Sequence, residues 1–315
     1  LYVLAHIHFL VIGVAGGIIV GAIPGLSGST GIILMLPFLI YIEPSSALIM
    51  MSGLFCGSMF GGSIAAVLIS TPGTPSAAAT LLDGYPLTQK GQAGKALGVA
   101  LVASTAGGII STLCLIFLAP QLAKIALKFG PSEYFALMIF GLTIMASVSS
   151  SSLTKGLLSG FFGLLLSMVG LNPSLGTERF TFGITRLLVG FSTMPVLIGL
   201  FAISEVLSQV ERLNEGTLRR VSSKHKIGEI LPRPKELKGL WKVILGSSLL
   251  GTIIGIIPAT GGSIASYMAY NETKRFSKDP ESFGKGNLAG IAAPEAANNA
   301  TTGGAMIPLI TLGIP

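Results

Sequence analysis

Two clusters of glycine, proline and hydroxyl residues, each at the end of an apolar segment, are the parts of this chain best suited to chemistry. They occupy residues 21–29 (Gly-Ala-Ile-Pro-Gly-Leu-Ser-Gly-Ser) and 255–263 (Gly-Ile-Ile-Pro-Ala-Thr-Gly-Gly-Ser), and neither contains Lys or Arg. A helix that begins at such a break presents unpaired N–H groups and a partial positive charge, which hold an anion without a basic side chain. The predicted anion-binding residues are Gly25, Ser27, Gly28, Ser29 and Thr30 in the first cluster and Thr260, Gly261, Gly262 and Ser263 in the second. Close helix packing in lipid is the alternative role for such small residues.

A third polar stretch, Pro-Glu-Ala-Ala-Asn-Asn-Ala-Thr-Thr-Gly-Gly over residues 294–304, interrupts the last apolar segment. Adjacent amides and hydroxyls are costly in hydrocarbon unless they face a site. The residues expected to line the same cavity as the two clusters are Asn298, Asn299, Thr301 and Thr302. A coupling ion, meaning an ion that moves together with the bound solute, is predicted to bind at Glu295, Asn298 and Thr74. It would be either Na⁺ or a proton. The alternative is that Glu295 lies at an interface and caps a helix. No other cofactor and no metal site is predicted.

Enzyme chemistry is not supported by these motifs. Residues 25–28 have the Gly-x-Ser-Gly form of rhomboid-type intramembrane serine proteases, but a serine nucleophile needs a base within hydrogen-bond reach. The three histidines are His6 and His8 at the amino end and His225 in a charged loop, so no later apolar segment supplies an imidazole. The first cluster also lacks the Lys of a nucleotide-binding P-loop. The chain is therefore predicted not to be an enzyme.

The elements that position these clusters are expected to be membrane helices. Half of the 315 residues are hydrophobic, only 10% are charged, 42 are glycine and the mean hydropathy is +0.78. Because a span needs about 20 apolar residues, there is room for about eight to ten membrane segments. The predicted fold is an all-α polytopic membrane protein with re-entrant or broken helices in one integral membrane domain. The candidate segments are residues 7–23, 30–42, 46–70, 96–119, 133–149, 155–171, 187–207, 239–257 and 287–314.

Charge is distributed unevenly along the chain. No Lys or Arg precedes Lys90, whereas residues 209–238 are rich in both. By the positive-inside rule this stretch is a cytoplasmic linker. The formal net charge of +7 is interpreted as this orientation signal, and no nucleic acid partner is predicted.

Internal repetition divides the chain into a first half (1–208), the linker (209–238) and the start of a second half (239–315). Residues 57–75 have a later echo in residues 302–315, at an offset of 240 to 242, in the same order relative to the clusters. Matched pairs in matching order predict an internal duplication, with inverted repeats as the favoured arrangement.

The chain resembles the large membrane subunit of tripartite tricarboxylate transporters, the TctA family. The resemblance rests on residues 24–28, 258–265, 283–286 and 312–315, and above all on Pro-Glu-Ala-Ala-Asn-Asn-Ala over 294–300. It implies a multi-pass protein of the bacterial inner membrane that takes up carboxylates such as citrate with an ion gradient. It also implies a small four-helix membrane subunit and a periplasmic solute-binding protein as partners. Family members continue beyond the Leu-Gly-Ile-Pro run, so the chain is expected to be a piece of a longer protein.

The function predicted from the sequence is therefore ion-gradient-driven uptake of a carboxylate, with the two clusters converging around the solute. Two alternatives stay open at this point. One is a non-transporting membrane scaffold or binding subunit whose clusters serve only helix packing. The other is a passive anion channel.

Overall fold

A computed structural model describes residues 6–24, 26–39, 41–133, 153–172, 175–191, 232–257 and 260–313, with isolated positions at 135–136, 139, 195–196, 199, 203, 207 and 210–211. The described part confirms the predicted all-α fold. Its helices are α1 (Ile7–Ala22), α2 (Gly28–Leu39), α3 (Pro44–Ile69), α4 (Ala78–Gln89), α5 (Ala93–Ala126), α6 (Leu153–Ser167), α7 (Pro234–Ile256), α8 (Gly261–Arg275) and α9 (Leu288–Leu312). Strands β1 (Gly170–Leu171) and β2 (Glu178–Arg179) form a small antiparallel pair with Gly170 opposite Arg179.

Within these described ranges, α3, α5 and α7 are long and apolar enough to cross a membrane, and α1, α2 and α6 are shorter apolar helices. The predicted total of eight to ten segments stays a prediction, because segments 133–149 and 187–207 lie largely outside the described residues. Most of the predicted linker also lies outside them. Helix α7 already begins at Pro234.

The chain divides into two compact units, one formed by residues 1–127 with 205–315 and the other by residues 128–204. The second unit contains α6 and the β1–β2 pair, in which the Thr181 hydroxyl donates a hydrogen bond of 2.7 Å to Glu178. Every predicted site residue belongs to the first unit.

Helices α1 and α2 form a hairpin that packs along one half of α3. Three glycines of α1 touch carbonyl oxygens of α3 in register: Gly13 at Met50, Gly17 at Leu54 and Gly21 at Ser58. Helix α1 therefore runs parallel to α3. After the turn, Gly28 lies against the Ser58 side chain and Leu39 packs near the start of α3. The hairpin thus reaches only the middle of α3 before it turns back.

A second hairpin approaches the same level from the other end of α3. After α3 ends at Ile69, the chain folds back so that the Gly73 N–H donates to the carbonyl of Gly62, at 3.1 Å. A short 3₁₀ turn, Pro75–Ala77, is followed by α4, which returns along α3 until Gly84 lies against Val67. Residues 71–75 (Thr-Pro-Gly-Thr-Pro) form this break between α3 and the 3₁₀ turn.

Helices α7 and α8 repeat the first arrangement against α9. Gly251 and Gly255 of α7 touch Ala297 and Thr301 of α9, which makes α7 parallel to α9. Helix α8 then returns, because the Ser266 hydroxyl donates to the carbonyl of Pro294 at 3.4 Å.

The contacts of the α1–α2 hairpin with α3 correspond to those of the α7–α8 hairpin with α9. Equivalent positions are 234 residues apart in the hairpins and 243 residues apart in the long helices α3 and α9. Thus Gly17 on Leu54 and Gly21 on Ser58 correspond to Gly251 on Ala297 and Gly255 on Thr301. The caps after the long helices, Ser70 (φ 56°) and Gly313 (φ 68°), are both left-handed at the same offset of 243. Contacts between α3 and α9 pair 63 with 295, 59 with 298 and 56 with 302, so these helices are antiparallel. Inverted copies require this geometry; the duplication itself stays a prediction.

The expectation that the last apolar run is broken at its polar residues is wrong. Helix α9 continues from Leu288 to Leu312 through Pro294 and Pro308. Its polar side chains are accommodated because several bond the helix's own backbone: Asn299 donates to the carbonyl of Glu295, Thr301 to Asn298 and Thr302 to Asn299.

Candidate functional site

Three hairpin tips meet beside the middle turns of α3 and α9. We call the α1–α2 turn the first tip, residues 70–77 the second tip, and the α7–α8 turn the third tip. The first and second tips touch where Gly73 lies against the carbonyl oxygen of Gly21. The second and third tips touch where Ser76 and Gly262 are neighbours, since a Cβ on Gly262 would lie 3.3 Å from that of Ser76. The two predicted clusters are thereby brought to one region.

The tips also approach α3 at consecutive residues. Ser58 lies against Gly28 of the first tip. Met59 accepts a hydrogen bond on its sulfur from the Ser76 hydroxyl at 3.8 Å, and its carbonyl accepts one from the Asn298 amide at 3.4 Å. Helices α2, α4 and α8 all begin at these tips, so the positive ends of three helix dipoles point into one region.

The amino ends of α2 and α8 differ in how they are capped. In α2, the Ser27 hydroxyl caps its own helix, because it accepts from the Thr30 N–H at 3.1 Å and shares a 2.9 Å hydrogen bond with the Thr30 hydroxyl. In α8, Thr260 makes no side-chain cap within the described residues. Its hydroxyl donates instead to the carbonyl of Ile257, at 2.7 Å. The first-turn amides at Gly261 and Gly262 therefore retain the capacity to bind an anion.

Asn298 faces the third tip. It is fully buried, and its side-chain oxygen is so close to Gly262 that a Cβ there would overlap it. In the described part of the chain this oxygen has no hydrogen-bond donor. A buried carbonyl oxygen without a donor is uncommon and marks a place where a water, ion or ligand group binds.

Asn299 and Thr302 face another direction. Together with Ser104 and Cys56 they line a mostly apolar cavity of about 630 Å³ whose other walls come from α1, α3 and α5. The predicted solute-binding set of α9 is thus divided between two sides of that helix, as the 100° step between consecutive helical residues requires.

The remaining predicted site residues have varied environments. Ser29 is exposed, Ser263 is half-buried and Thr301 is buried. Gly25 lies outside the described residues. As for the enzyme alternative, His6 shares a hydrogen bond of 2.8 Å with the Ser46 hydroxyl near the start of α3, whereas Ser27 bonds to Thr30.

Glu295 is the centre of a buried hydroxyl cluster. Its carboxylate accepts hydrogen bonds from Ser63 of α3, from Thr80 of α4 and, at 2.7 Å, from Ser104 of α5. The alternative that Glu295 caps a helix at an interface is wrong, because it is fully buried in the interior of α9 and Asn287 caps that helix. Thr74 is not among its hydrogen-bond partners; it bonds Ser76, at 3.1 Å.

A second buried carboxylate, Asp83 of α4, was not predicted as functional from the sequence. One oxygen accepts backbone N–H groups of Gly284, Gly286 and Asn287 at 2.9, 2.8 and 2.7 Å. The other accepts the Tyr270 hydroxyl at 2.9 Å. Tyr270 is itself buried against Asp83. The sequence signal was a lone Asp in an apolar segment.

The sequence matches the model of the Tripartite tricarboxylate transporter TctA family over residues 7–315. The chain belongs to this family. A protein of Agrobacterium vitis described as "Uncharacterized 52.8 kDa protein in TAR-I ttuC' 3'region" is 39% identical over 310 residues, which are 98% of this chain and 61% of that protein. A second Agrobacterium vitis protein, "Uncharacterized protein in TAR-II ttuC' 3'region", is 46% identical over 65 residues, 21% of this chain and 27% of that protein. No solved structure matches the chain.

The apolar helices of the described residues are consistent with a membrane protein of the TctA family. The chain spans 61% of the first relative's length. The roles assigned to individual site residues stay predictions.

Proposed function

We propose that the full-length protein is a secondary transporter subunit that takes up a carboxylate across the bacterial inner membrane and is driven by an ion gradient. A periplasmic solute-binding protein would deliver the cargo, and a small membrane subunit would complete the assembly. The observation that carries the proposal is the meeting of three helix amino ends, those of α2, α4 and α8, at tips without Lys or Arg.

The site is suited to a carboxylate because main-chain amides and hydroxyls can bind an anion without a positively charged side chain. A basic side chain would hold the anion more permanently, and a transporter must release its cargo. Gly261, where a Cβ would meet no atom within 4 Å, allows a solute to approach the backbone.

The proposed orientation follows from charge at the two ends of α3. Lys90 and Lys285 lie together at the end where α3 finishes, since the Lys90 ammonium donates to the Lys285 carbonyl at 2.6 Å. Arg275 is the last residue of α8, and Lys278 lies in the segment that follows it. By the positive-inside rule this end faces the cytoplasm, so the α1–α2 hairpin opens to the periplasm and the α7–α8 hairpin to the cytoplasm.

The test is uptake of radiolabelled citrate by proteoliposomes that contain the full-length protein, the small membrane subunit and the binding protein. We expect accumulation against a gradient when an inward Na⁺ or proton gradient is imposed. Equilibration of citrate and of a panel of other carboxylates without such a gradient would instead identify a passive channel. A complete lack of carboxylate transport would leave only the scaffold alternative.

The site is tested in the same assay with Gly262→Ala, whose Cβ would overlap the Asn298 oxygen. We expect uptake to be lost. The matched control is Gly246→Ala in α7, where a Cβ meets no atom within 4 Å. Equal uptake by both variants would discard the site assignment.

A further inference from the structure

The side-chain oxygen of Asn298 is a buried hydrogen-bond acceptor without a donor among the described residues. Its residue has no exposed surface, and no donor reaches the oxygen within the described residues. Exchanging the two ends of the amide does not remove the problem. The nitrogen now faces the carbonyl oxygen of Met59 at 3.4 Å, and a turned amide would set two acceptors against each other there. An unpaired buried carbonyl destabilises the folded protein, and a bound group would remove that cost.

The neighbouring polar groups offer further oxygen atoms. Ser76, which lies beside Asn298 across Gly262, is buried, and so is Thr74. The Ser76 hydroxyl donates to the Met59 sulfur, so in the 3.1 Å contact between Ser76 and Thr74 the Thr74 hydroxyl is the donor. Both hydroxyl protons are then directed away from the Asn298 oxygen, and lone pairs remain available. The cluster is rich in acceptors and poor in donors.

We propose that the side-chain oxygens of Asn298, Ser76 and Thr74 form a Na⁺ site, which names the coupling ion of the proposed function and rests on that function. Hard monovalent cations are bound in membrane proteins by neutral carbonyl and hydroxyl oxygens, often at breaks between helix segments. All three groups are neutral oxygens of this kind, and two of them, Ser76 and Thr74, belong to the break after α3.

A proton would not use this cluster. Amide, hydroxyl and peptide oxygens do not take up a proton near neutral pH. The carboxylate one turn away, Glu295, already accepts three hydroxyl hydrogen bonds from three helices. Its geometry is that of a satisfied structural group.

The proposed Na⁺ site lies beside the amino end of α8. This position provides a physical basis for coupling between Na⁺ binding and carboxylate binding. The partial positive charge at Gly261 and Gly262 opposes a cation bound alone, whereas a carboxylate bound to those amides offsets that charge. Na⁺ and carboxylate should therefore raise each other's affinity by the same factor.

The direct test measures binding of ²²Na⁺ to the purified full-length protein by scintillation proximity, with and without citrate. We expect saturable binding that unlabelled Na⁺ displaces and that K⁺ and choline do not, with tighter binding when citrate is present. Ser76→Ala and Asn298→Ala each remove an oxygen and should weaken ²²Na⁺ binding about ten-fold or more. Asn298→Asp retains an oxygen and adds a charge, so it should keep or tighten binding.

The matched control is Ser248→Ala in α7, a fully buried serine whose hydroxyl donates to the carbonyl of Ile244. It should bind ²²Na⁺ as the unmodified protein does. Because Asn298→Ala changes a fully buried side chain and can impair folding as well as binding, Ser76→Ala with an unchanged melting temperature is the deciding variant.

Three results would overturn the sodium site: no saturable ²²Na⁺ binding, unchanged affinity in Ser76→Ala, or full citrate uptake with choline in place of Na⁺ under a proton gradient. The last result would leave the proposed function intact. A different result, in which Asn298→Ala changes only the preference between carboxylates with and without a hydroxyl group, would identify a cargo hydroxyl as the donor to the Asn298 oxygen. The sodium site would then be rejected. Absence of carboxylate transport, with saturable Na⁺ binding retained, would overturn the proposed function alone.

Discussion

The Ser104 hydroxyl of α5 donates a hydrogen bond of 2.7 Å to the carboxylate of Glu295 in α9. Ser63 and Thr80 donate to the same carboxylate, so four helices are joined at one buried group. A buried carboxyl group of this kind is tolerated only while its hydrogen bonds are intact.

Ser104→Ala should lower the free energy of unfolding by about 1–3 kcal/mol, because it leaves a buried carboxyl oxygen without its hydrogen-bond partner. The measurement is the melting temperature of the purified protein in detergent. Thr105→Ala is the control: Thr105 is exposed and its hydroxyl donates to the Leu101 carbonyl of its own helix. Equal melting temperatures for the two variants would show that the cluster contributes no stability.

Asp83→Ala should be more destabilising than Asp83→Asn. The alanine leaves three backbone N–H groups and the Tyr270 hydroxyl without their acceptor, at a cost of about 3 kcal/mol or more. The asparagine keeps an oxygen for the N–H groups, and its nitrogen can donate to Tyr270. Limited proteolysis in the 276–287 segment measures the effect, with faster cleavage expected in the alanine variant. If both variants were cleaved at the same rate, charge rather than hydrogen bonding would hold this segment.

Gly17→Ala should separate α1 from α3, since a Cβ at Gly17 would overlap the carbonyl oxygen of Leu54. Gly16→Ala is the adjacent control, because a Cβ there meets no atom within 4 Å. The control should be neutral or slightly stabilising, as alanine favours a helix over glycine by about 1 kcal/mol. A shift in melting temperature confined to Gly17→Ala supports the packing; the reverse order contradicts it.

Cysteines placed near the two ends of α3 should react with a thiol reagent from opposite sides of the membrane. In a background with Cys56 and Cys114 replaced by alanine, Tyr41→Cys should react with an impermeant maleimide added outside intact cells. Lys278→Cys should react only after permeabilisation. Both positions are exposed, so access is decided by the membrane. Labelling of Lys278→Cys in intact cells would reverse the proposed orientation.

Much of the fold could be predicted from sequence because its causes are local. Apolar length predicted most of the described helices, although α4 and α8 correspond to none of the predicted segments, and Pro with Gly indicated the breaks at residues 23–27 and 70–75. The helix boundaries differ from the predicted segments by a few residues; α2 begins at Gly28 rather than 30, for example. The continuity of α9 could not be predicted, because it depends on side chains such as Thr301 that bond their own helix carbonyls.

The site could be predicted only in outline. Composition indicated that Asn298 and Thr74 face a polar region, but their shared neighbour Ser76 became evident only when the second and third tips were seen together. The Asp83 contact joins residues about 200 positions apart, and nothing in the local pattern specifies such a partner. Long-range pairing depends on the three-dimensional arrangement of the hairpins.

The Asp83 contact also has a consequence for biosynthesis. Its three backbone partners come 201 to 204 residues later in the chain. At a ribosomal rate of about 5–20 residues per second, α4 waits roughly 10–40 s after Asp83 is polymerised before these amides exist. During that interval a nascent carboxylate destined for the interior needs a temporary environment, such as water or the insertion machinery. The first half of the molecule is therefore expected to reach its final depth in the bilayer only after the second half has emerged.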